Sequence, residues 1–285
     1  MWRGGTTAEI KTPEQLAVMR EAGLVVAGTL RVLAAAVRPG LTTAELDAIA
    51  EAEIRAAGAT PSFKGYHGYP ATICTSVNEE IVHGIPSKER ALSPGDIISI
   101  DCGAIVDGWH GDAALSVAVG EIDPADQALL DACEAALWQG IAQAVAGRRL
   151  GDISHAVEQS AGAAGSYGLI REYTGHGIGT AMHMDPAVPN YGPPSRGPRL
   201  RAGMALAIEP MLTRGDRQTA ELADGWTVIT VDGSRAAHFE HTVAITPDGP
   251  WVLTAEDGGK SRLPERTVAA VEPTPSLASG CPDAR

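Results

Sequence analysis

Two apolar segments flank the dipeptide Asp107-Gly108, and this arrangement constrains the fold more than any other feature of the sequence. The segments cover residues 97–106 and 109–119. Asp-Gly between two such segments is typical of a two-residue β-hairpin turn. The sequence therefore predicts a long antiparallel hairpin in which residue 106 faces residue 109, and every other cross-strand pair follows from that register.

The predicted register places two acidic residues on one face of the hairpin. Asp112 lies opposite Gly103, and Asp101 is two residues from Gly103 on the same strand. Side chains two apart on a strand share a face, so both carboxylates project to one side as diagonal neighbours. Among apolar residues they would repel each other unless a proton or a cation lies between them. Taken alone, the pair is equally compatible with two solvated aspartates.

Three further segments place ionisable side chains in apolar or glycine-rich surroundings. His176 lies in a predicted glycine-rich loop, Glu209 ends an apolar strand, and Glu240 lies inside another. Buried glutamates are rare unless they are paired or metal-bound. Four carboxylates and one imidazole, with no cysteine ligand, favour Mn, Fe, Co or Zn over copper. Asp101, Asp112 and these three residues therefore indicate a divalent metal site, and two ions held close together would let bridging carboxylates serve both.

Helix signals occur in two pairs that suggest an internal repeat. Thr12 and Thr42 each precede a Gln or Glu by three residues, as in a capping box. The predicted helices cover residues 12–39, 42–58, 123–147 and 152–165. An offset of 107 residues superimposes the ends of the second pair on those of the first, which suggests two similar halves. Further strands are predicted at 205–208, 226–231 and 239–245, and a Pro/Gly-rich loop at 185–198.

Composition narrows the class of protein. The chain has 285 residues and a formal net charge of −13, which argues against nucleic-acid binding because phosphate contacts need a basic face. Its four cysteines lie far apart, as expected of reduced thiols in the cytosol. No signal-peptide core and no apolar run of about 18 residues is present, so we expect a soluble cytoplasmic protein without a membrane span.

The five candidate ligands lie in motifs that resemble those of the type I methionine aminopeptidases of peptidase family M24. The matching motifs are Tyr66-His67-Gly68-Tyr69-Pro70, Ser76-Val77-Asn78-Glu79, His83-Gly84-Ile85-Pro86, Asp107-Gly108-Trp109-His110-Gly111-Asp112, Gly175-His176-Gly177-Ile178-Gly179, Ile208-Glu209-Pro210 and Glu240-His241-Thr242. The likeness covers about residues 12–255. It implies the α+β pita-bread fold, with two pseudo-symmetric halves, a curved antiparallel sheet and outer helices.

The same resemblance implies a domain organisation. A short N-terminal extension would cover residues 1–11, the pita-bread catalytic domain residues 12–258, and a disordered tail residues 259–285. The tail prediction also follows from its composition of Gly, Pro, Ser and charged residues without periodicity.

The resemblance assigns metal ligands to these positions. Asp101 would chelate one cation, His176 and Glu209 the other, and Asp112 and Glu240 would bridge both. A water or hydroxide between the ions would attack the scissile carbonyl, because the cations lower its pKa. Glu209 would also move the proton. The implied reaction removes the N-terminal initiator methionine from nascent proteins and peptides when the next residue is small.

The resemblance also implies the groups that contact substrate. His83 would hydrogen-bond near the scissile amide, and His183 would stabilise the carbonyl oxygen as charge develops there. The methionine pocket would be lined by Phe63, Tyr66, Tyr69, Cys74, Met182 and Trp226. A narrow apolar pocket with sulfur and aromatic edges suits a thioether side chain.

The remaining histidines receive a structural interpretation, and three positions depart from the family pattern. His67, His155, His238 and His241 are read as structural, and His110 as structural or supporting the ligands. Met184 stands where the family often has glutamate, Thr180-Ala181 where it often has arginine, and His238-Phe239 where Gln-Tyr is usual. None removes a ligand, so the departures bear on rate and substrate preference.

Two alternatives remain open, and the implied function suggests partners. The first alternative is a Pro-directed aminopeptidase of the same fold, although such enzymes usually carry a large additional N-terminal domain. The second is a catalytically silent relative that binds partners, although such relatives typically lose ligands. The expected partners are peptides and nascent chains that begin with methionine, acted on by a monomer. The function also suggests a ribosome contact near the peptide exit, for which no residue provides a signal.

Overall fold

The computed structural model describes residues 8–263, which form an α+β structure of helices packed on antiparallel sheets. The helices are α1 (Pro13–Ala36), α2 (Thr43–Ala56), α3 (Pro124–Ile141) and α4 (Leu150–Ala164). The strands are β1 (Thr60–Pro61), β2 (Ile73–Val77), β3 (Glu80–Val82), β4 (Ile97–Val106), β5 (Trp109–Ala118), β6 (Gly168–Leu169), β7 (Gly175–Gly177), β8 (Met184–Val188), β9 (Ala205–Ile208), β10 (Met211–Thr213), β11 (Thr219–Glu221), β12 (Val228–Thr230), β13 (Ala236–His238), β14 (Glu240–Thr246) and β15 (Gly249–Val252).

The hairpin that the sequence predicts is present with its predicted register. Strands β4 and β5 pair from Val106↔Trp109 onward, and Gly103 lies opposite Asp112. Asp107 and Gly108 both have positive φ, 46° and 80°, as a tight two-residue turn requires. This hairpin is the centre of a nine-stranded antiparallel sheet in the order β1-β4-β5-β14-β9-β7-β8, with β2 beside β4 and β15 beside β14.

Helix starts follow the capping signals in the sequence. The side chain of Thr12 accepts from the backbone N–H of Gln15, and that of Thr42 accepts from the N–H of Glu45. In both helices the N3 side chain bonds back to the N-cap backbone, which completes a capping box and satisfies free N–H groups of the first turn. The predicted starts of α1 and α2 are confirmed.

The second helix of each half follows the predicted offset. Helix α4 begins 107 residues after α2, at Leu150 and Thr43. Gly40 and Gly147, which precede these helices, have similar positive φ of 84° and 90°. Each half packs its pair of helices on its own part of the large sheet: α1 and α2 contribute to one core with β2 and β4, and α3 and α4 to another with β9 and β14.

The two faces of strand β4 have different environments. Ile100, Cys102 and Ala104 are fully buried in the core beneath α1 and α2. Asp101 points to the other face, because alternate residues of a strand project to opposite sides. The helices therefore cover the outer face of the sheet and leave its inner face to the ionisable side chains.

Several predicted boundaries differ from the structure. Helix α3 ends at Ile141 instead of residue 147, and the strand predicted at 226–231 is shortened to Val228–Thr230. The predicted loop 185–198 overlaps strand β8, which pairs with β7. His176 lies in β7 and not in a loop, because β8 and β9 pair with this short strand on either side.

Part of the predicted disordered tail is described and packed. Residues 259–263 form turns, with the Arg262 guanidinium 5.1 Å from the centre of the Trp138 ring. The rest of the predicted tail, residues 264–285, lies outside the described residues, as do residues 1–7 of the predicted N-terminal extension. Within residues 8–263, no helix combines the length and apolar character needed to cross a membrane.

Candidate metal centre and adjoining pocket

One cavity of about 150 Å³ on the inner face of the sheet brings together every site residue named from the sequence. The five candidate ligands line one part of it: Asp101, Asp112, His176, Glu209 and Glu240. The remaining lining comprises the two candidate catalytic histidines and the candidate pocket residues: His83, His183, Phe63, Tyr66, Tyr69, Cys74, Met182 and Trp226. These residues come from both halves of the chain.

Strand pairing positions the carboxylates of Asp112 and Glu240 close together. Glu240 is the first residue of β14, and it pairs with Ala114 of the hairpin. The hydroxyl of Thr242 accepts a hydrogen bond from the Asp112 N–H at 3.0 Å and donates to the Asp112 carbonyl at 2.8 Å. The Thr242 side chain thus continues the hydrogen bonding between β5 and β14 beyond the point where their backbone pairing stops. This contact fixes the two strands, and with them the two acidic side chains.

Two glycines and a carbonyl group orient His176. A Cβ atom at Gly175 would overlap the carbonyl of Ala207, and one at Gly177 would overlap that of Asp185, so only glycine lets the neighbouring strands approach. The Nδ1 atom of His176 lies 3.0 Å from the carbonyl oxygen of Gly177. Because a carbonyl only accepts, Nδ1 carries the hydrogen and Nε2 offers its lone pair to the cavity.

The donor atoms form a compact group. Asp112, His176 and Glu240 each offer one ligand atom, and these three atoms lie within 4.8 Å of one another. The Oε1 atom of Glu209 lies 3.5 Å from Nε2 of His176. Asp101 lines the cavity from β4.

Unsatisfied oxygens show that this set fits a cation. Within residues 8–263, three buried carboxylate oxygens have no hydrogen-bond partner: Asp101 Oδ1, Asp112 Oδ1 and Glu240 Oε1. Buried oxygens without a donor are unfavourable unless a cation coordinates them. Divalent Mn, Fe, Co and Zn are commonly bound by such a set of carboxylate oxygens with one imidazole nitrogen.

The pKa values of the buried ionisable groups also favour a bound cation. Burial raises the pKa of the Asp112 carboxyl, and the neighbouring Glu240 and Asp101 raise it further. The pKa of Glu240 is raised by burial and then by Glu209 and Asp101. Burial lowers the pKa of His176 to about 3, with His183 contributing, so the imidazole is neutral, as a metal ligand must be. A divalent cation would remove the repulsion among the carboxylates.

His83 follows strand β3 in an uncommon backbone conformation. Its φ is 61°, in the left-handed region that residues other than glycine seldom adopt. Its ring makes edge contacts with the rings of Tyr173 and Trp226, at centroid distances of 5.7 and 6.5 Å. Burial, and secondarily His183, lower the pKa of His83 to about 4, so this imidazole is neutral near pH 7. A strained backbone held by packing is a frequent feature of functional sites.

His183 is held by a tyrosine that the sequence analysis placed only in the pocket wall. The Nδ1 atom of His183 lies 2.9 Å from the hydroxyl of Tyr66, and its ring centre lies 4.3 Å from that of His176. Tyr66 and His183 are 117 residues apart in sequence, and no local signal links them.

An apolar cluster closes the cavity beside the ligands. Phe63, Tyr69, Cys74 and Met182 are buried there, and the Trp226 ring meets that of Tyr69 edge to face at 5.0 Å. A Cβ at Gly103 would lie 2.7 Å from the Phe63 ring, so the glycine opposite Asp112 makes room for this wall. The result is a narrow pocket that carries one thiol and one thioether.

Three further histidines, none of them a predicted ligand, have defined neighbours. The Nδ1 atoms of His110 and His241 lie 3.0 and 2.8 Å from the hydroxyls of Ser62 and Thr254, respectively. His238, which the sequence analysis read as structural, places Nε2 3.9 Å from Oε2 of Glu209. One signal was available: His238 is two residues before Glu240, so in an extended chain both side chains project to the same face.

A family comparison accounts for this arrangement. The model of a family described as metallopeptidase family M24 matches residues 17–247, most of the chain and all five candidate ligands. The chain belongs to metallopeptidase family M24. As an M24 metallopeptidase it depends on a divalent metal, which agrees with the unsatisfied carboxylate oxygens in the cavity.

Two methionine aminopeptidases resemble the chain over almost their whole length. It is 55% identical over 257 residues to methionine aminopeptidase 1 of Mycobacterium tuberculosis, covering 88% of this chain and 97% of that protein. The crystal structure of a methionine aminopeptidase from Thermotoga maritima superimposes with a TM-score of 0.86 and 44% identity, covering 88% of this chain and all of that one.

A solved structure of much lower sequence identity shares the fold. An X-Pro aminopeptidase from Thermotoga maritima superimposes with a TM-score of 0.68 at 20% identity, and the alignment covers 90% of this chain but only 62% of that one. The chain therefore has the pita-bread fold common to these structures, with its two halves and curved antiparallel sheet.

Proposed function

We propose that the chain is a metal-dependent methionine aminopeptidase, which removes the N-terminal methionine from peptides and nascent proteins when the next residue is small. The observation that carries the proposal is the direct contact between the ligand cluster and a narrow apolar pocket containing Cys74 and Met182. An unbranched thioether side chain fits such surroundings. The 55% identity to methionine aminopeptidase 1 of Mycobacterium tuberculosis supports the same substrate.

The proposed metal centre holds two divalent cations of Mn, Fe, Co or Zn. Asp101 would hold one, His176 and Glu209 the other, and Asp112 and Glu240 would bridge them. When bound, the cations would polarise the scissile carbonyl and lower the pKa of the attacking water. The neutral state of His176 and its hydrogen bond from Nδ1 prepare Nε2 for coordination.

The chain's own residues supply the remaining steps. Glu209 would accept the proton from the attacking water and deliver it to the leaving amine nitrogen. His183 would donate from Nε2 to the carbonyl oxygen as negative charge develops there, since its Nδ1 is engaged by Tyr66. His83, which also lines the cavity, would hydrogen-bond near the scissile amide. Phe63, Tyr69 and Trp226 exclude water from the methionine side chain.

The proposal extends to partners. Peptides with a free amino terminus would be bound, because the amine would occupy a position beside the cations, and blocked termini would be refused. Nascent chains are substrates of this kind, so we propose that the protein acts as a monomer near the ribosomal peptide exit. Co-sedimentation with translating ribosomes tests that location.

Peptide hydrolysis with quantified bound metal tests the function. The chain loaded with Mn²⁺, Co²⁺ or Fe²⁺ should release methionine from Met-Ala-Ser, and Ala-Pro peptides should remain intact. Asp112→Asn should abolish both activity and metal retention, whereas Asp248→Asn, at an exposed turn, should change neither.

Other outcomes favour the alternatives. Cleavage of Ala-Pro in preference to Met-Ala-Ser would establish the Pro-directed enzyme. If no metal supports turnover of either peptide and Asp112→Asn is equally inert, the chain is a binding protein with this fold.

A further inference from the structure

The position of His238 is fixed by its backbone. It ends strand β13, and its side chain is 2% exposed. The hydroxyl of Ser116, on β5, accepts from the His238 N–H and lies within donating distance of the His238 carbonyl, both at 2.9 Å. Because both main-chain groups are held by one serine of the ligand-bearing hairpin, the imidazole has a defined direction relative to the metal centre.

The imidazole of His238 faces the carboxylate of Glu209. Glu209 lies between two histidines: Oε1 is 3.5 Å from Nε2 of His176, and Oε2 is 3.9 Å from Nε2 of His238. The first distance suits two ligands of one cation. The second is about 1 Å longer than a hydrogen bond, a gap that small side-chain rotations close.

The His238 nitrogen that faces Glu209 lacks a hydrogen-bond partner among the described residues. This atom, Nε2, is buried. A buried polar nitrogen without a partner is unfavourable, so a purely space-filling residue would be better apolar. The Glu209 carboxylate is an acceptor that this nitrogen approaches, and the imidazole of His83 is close enough to influence His238 electrostatically.

We propose that His238 is a positioning residue for Glu209, whose Oε2 accepts a hydrogen bond from Nε2–H of His238 in the metal-loaded protein. The bond holds the carboxylate so that Oε1 faces the cation beside His176. Hydrogen bonds to the ligands of a metal commonly set ligand orientation and affinity. This inference rests on the metal centre proposed above.

Three variants separate positioning from packing. His238→Leu removes the donor and keeps an apolar side chain, whereas His238→Gln keeps an N–H donor. His155→Leu, on α4, makes the same chemical change away from the cavity. Circular dichroism of the metal-free proteins verifies that each variant is folded.

The measurements are Co²⁺ affinity by calorimetry and the visible absorption spectrum of bound Co²⁺, which reports ligand geometry. We expect about 10–100-fold weaker Co²⁺ binding and an altered spectrum in His238→Leu. His238→Gln and His155→Leu should bind Co²⁺ as the unmodified chain does. Unchanged affinity and spectrum in His238→Leu would overturn the positioning role while leaving the metal centre intact. If the unmodified chain binds no Co²⁺, the metal centre itself fails, and this inference with it.

A second measurement tests the position of the His238 hydrogen and does not require that His238→Leu folds. ¹⁵N NMR of the imidazole groups in the Zn²⁺-loaded chain, assigned with His238→Gln, should show the hydrogen of His238 on Nε2 and protected from exchange. A hydrogen on Nδ1 would overturn the proposal, because Nε2 could then not donate.

Discussion

Two histidines of the site are prepared for opposite roles by the atoms that contact their Nδ1 positions. The Gly177 carbonyl can only accept, so His176 keeps its hydrogen on Nδ1 and directs a lone pair inward. The Tyr66 hydroxyl can donate to Nδ1 of His183, and in that arrangement the hydrogen of the neutral imidazole lies on Nε2. Two imidazoles with ring centres 4.3 Å apart would thus serve the proposed mechanism as a metal ligand and a hydrogen-bond donor, respectively.

The pairing of Tyr66 with His183 predicts a defect in catalysis without a defect in metal binding. Tyr66→Phe removes the hydroxyl and leaves the ring in the pocket wall. A neutral hydrogen bond contributes about 0.5–1.5 kcal/mol, and about 1.4 kcal/mol corresponds to a tenfold change in rate. We therefore expect kcat on Met-Ala-Ser to fall up to about tenfold. Steady-state kinetics and metal analysis check this result.

The control is Tyr167→Phe, which removes a hydroxyl from a tyrosine packed in another cluster. Its kcat and metal content should match those of the unmodified chain. A Tyr66→Phe protein with full activity would show that His183 needs no tyrosine for its orientation, and loss of bound metal would assign Tyr66 to the metal centre instead.

At the residue scale, sequence reasoning reached the site's members but not all their contacts. The side-chain alternation of one hairpin places Asp101 and Asp112 on the same face, and the structure has both in one cavity. The contact of Tyr66 with His183, by contrast, depends on how two distant loops pack. The approach of His238 to Glu209 joins strand β13 to the end of β9, and no local pattern encodes that distance.

At the scale of elements, strand β14 connects the ligand-bearing hairpin to the second half of the molecule. It pairs with β5 through Glu240 and His241, and with β9 through residues 241–244. Beyond His241 the hydroxyl of Thr242 takes over the bonds to β5, because it contacts both main-chain groups of Asp112. The relative position of Asp112 and Glu240 thus depends on the Thr242 side chain as well as on the backbone pairing of β14 with β5.

Thr242→Val tests this connection. The substitution keeps the shape of the side chain but leaves the buried N–H and carbonyl of Asp112 without this partner. We expect a loss of about 1–3 kcal/mol in the free energy of unfolding, since a buried polar group is left unsatisfied. Co²⁺ affinity should fall as well, because the two strands are no longer held in register. Urea denaturation and calorimetry measure the two effects.

Thr246→Val provides the comparison within the same strand. The Thr246 hydroxyl donates to the carbonyl of Gly249 at the hairpin turn, away from the ligands. The Thr246→Val substitution should lower the free energy of unfolding and leave Co²⁺ affinity unchanged. Equal affinities for Thr242→Val and the unmodified chain would show that the sheet alone sets the ligand geometry.

Short sequence motifs predict helix starts and tight turns correctly when the groups that stabilise them are close together in the chain. The capping boxes at Thr12 and Thr42 fix helix starts, and Asp107-Gly108 fixes a hairpin, because all the interacting groups lie within a few residues. The strand around His176 is different. Glycines on both sides suggest a loop, but here they admit the carbonyls of β8 and β9, which lie elsewhere in the chain. Pairing with distant strands decided that conformation.

At the scale of the whole molecule, the fold concentrates buried acidic groups where its two halves meet. Both halves contribute carboxylates to one small cavity, and the chain already carries a net charge of −13. Without a cation, each ionisation in the cavity opposes folding, since burial and neighbouring carboxylates raise the pKa of Asp112 and Glu240. The metal centre is therefore also expected to be a determinant of stability.

The sign of the pH dependence follows from linkage. Below the ordinary aspartate value of 3.8, Asp112 is protonated in both the folded and the unfolded chain. As pH rises above that value, the unfolded chain releases its proton first and the folded chain retains it. The folded state then binds more protons, so the stability contributed by Asp112 decreases until pH exceeds its raised folded-state pKa.

Asp112→Asn should isolate this effect, because asparagine does not ionise and all other titrating groups are common to both proteins. With metal removed by chelation, we expect the Tm of the variant to rise relative to the unmodified chain as pH increases from about 4, by about 2–4 °C per kcal/mol of relieved ionisation cost. With saturating Mn²⁺ the order should reverse, since only the unmodified chain retains the Asp112 carboxylate that we propose as a metal ligand. Calorimetric melting from pH 4 to 8 checks both trends, with Asp248→Asn as the exposed control. A Tm difference independent of pH would mean that Asp112 ionises freely in the folded chain, and the buried-charge account of this cavity would be wrong.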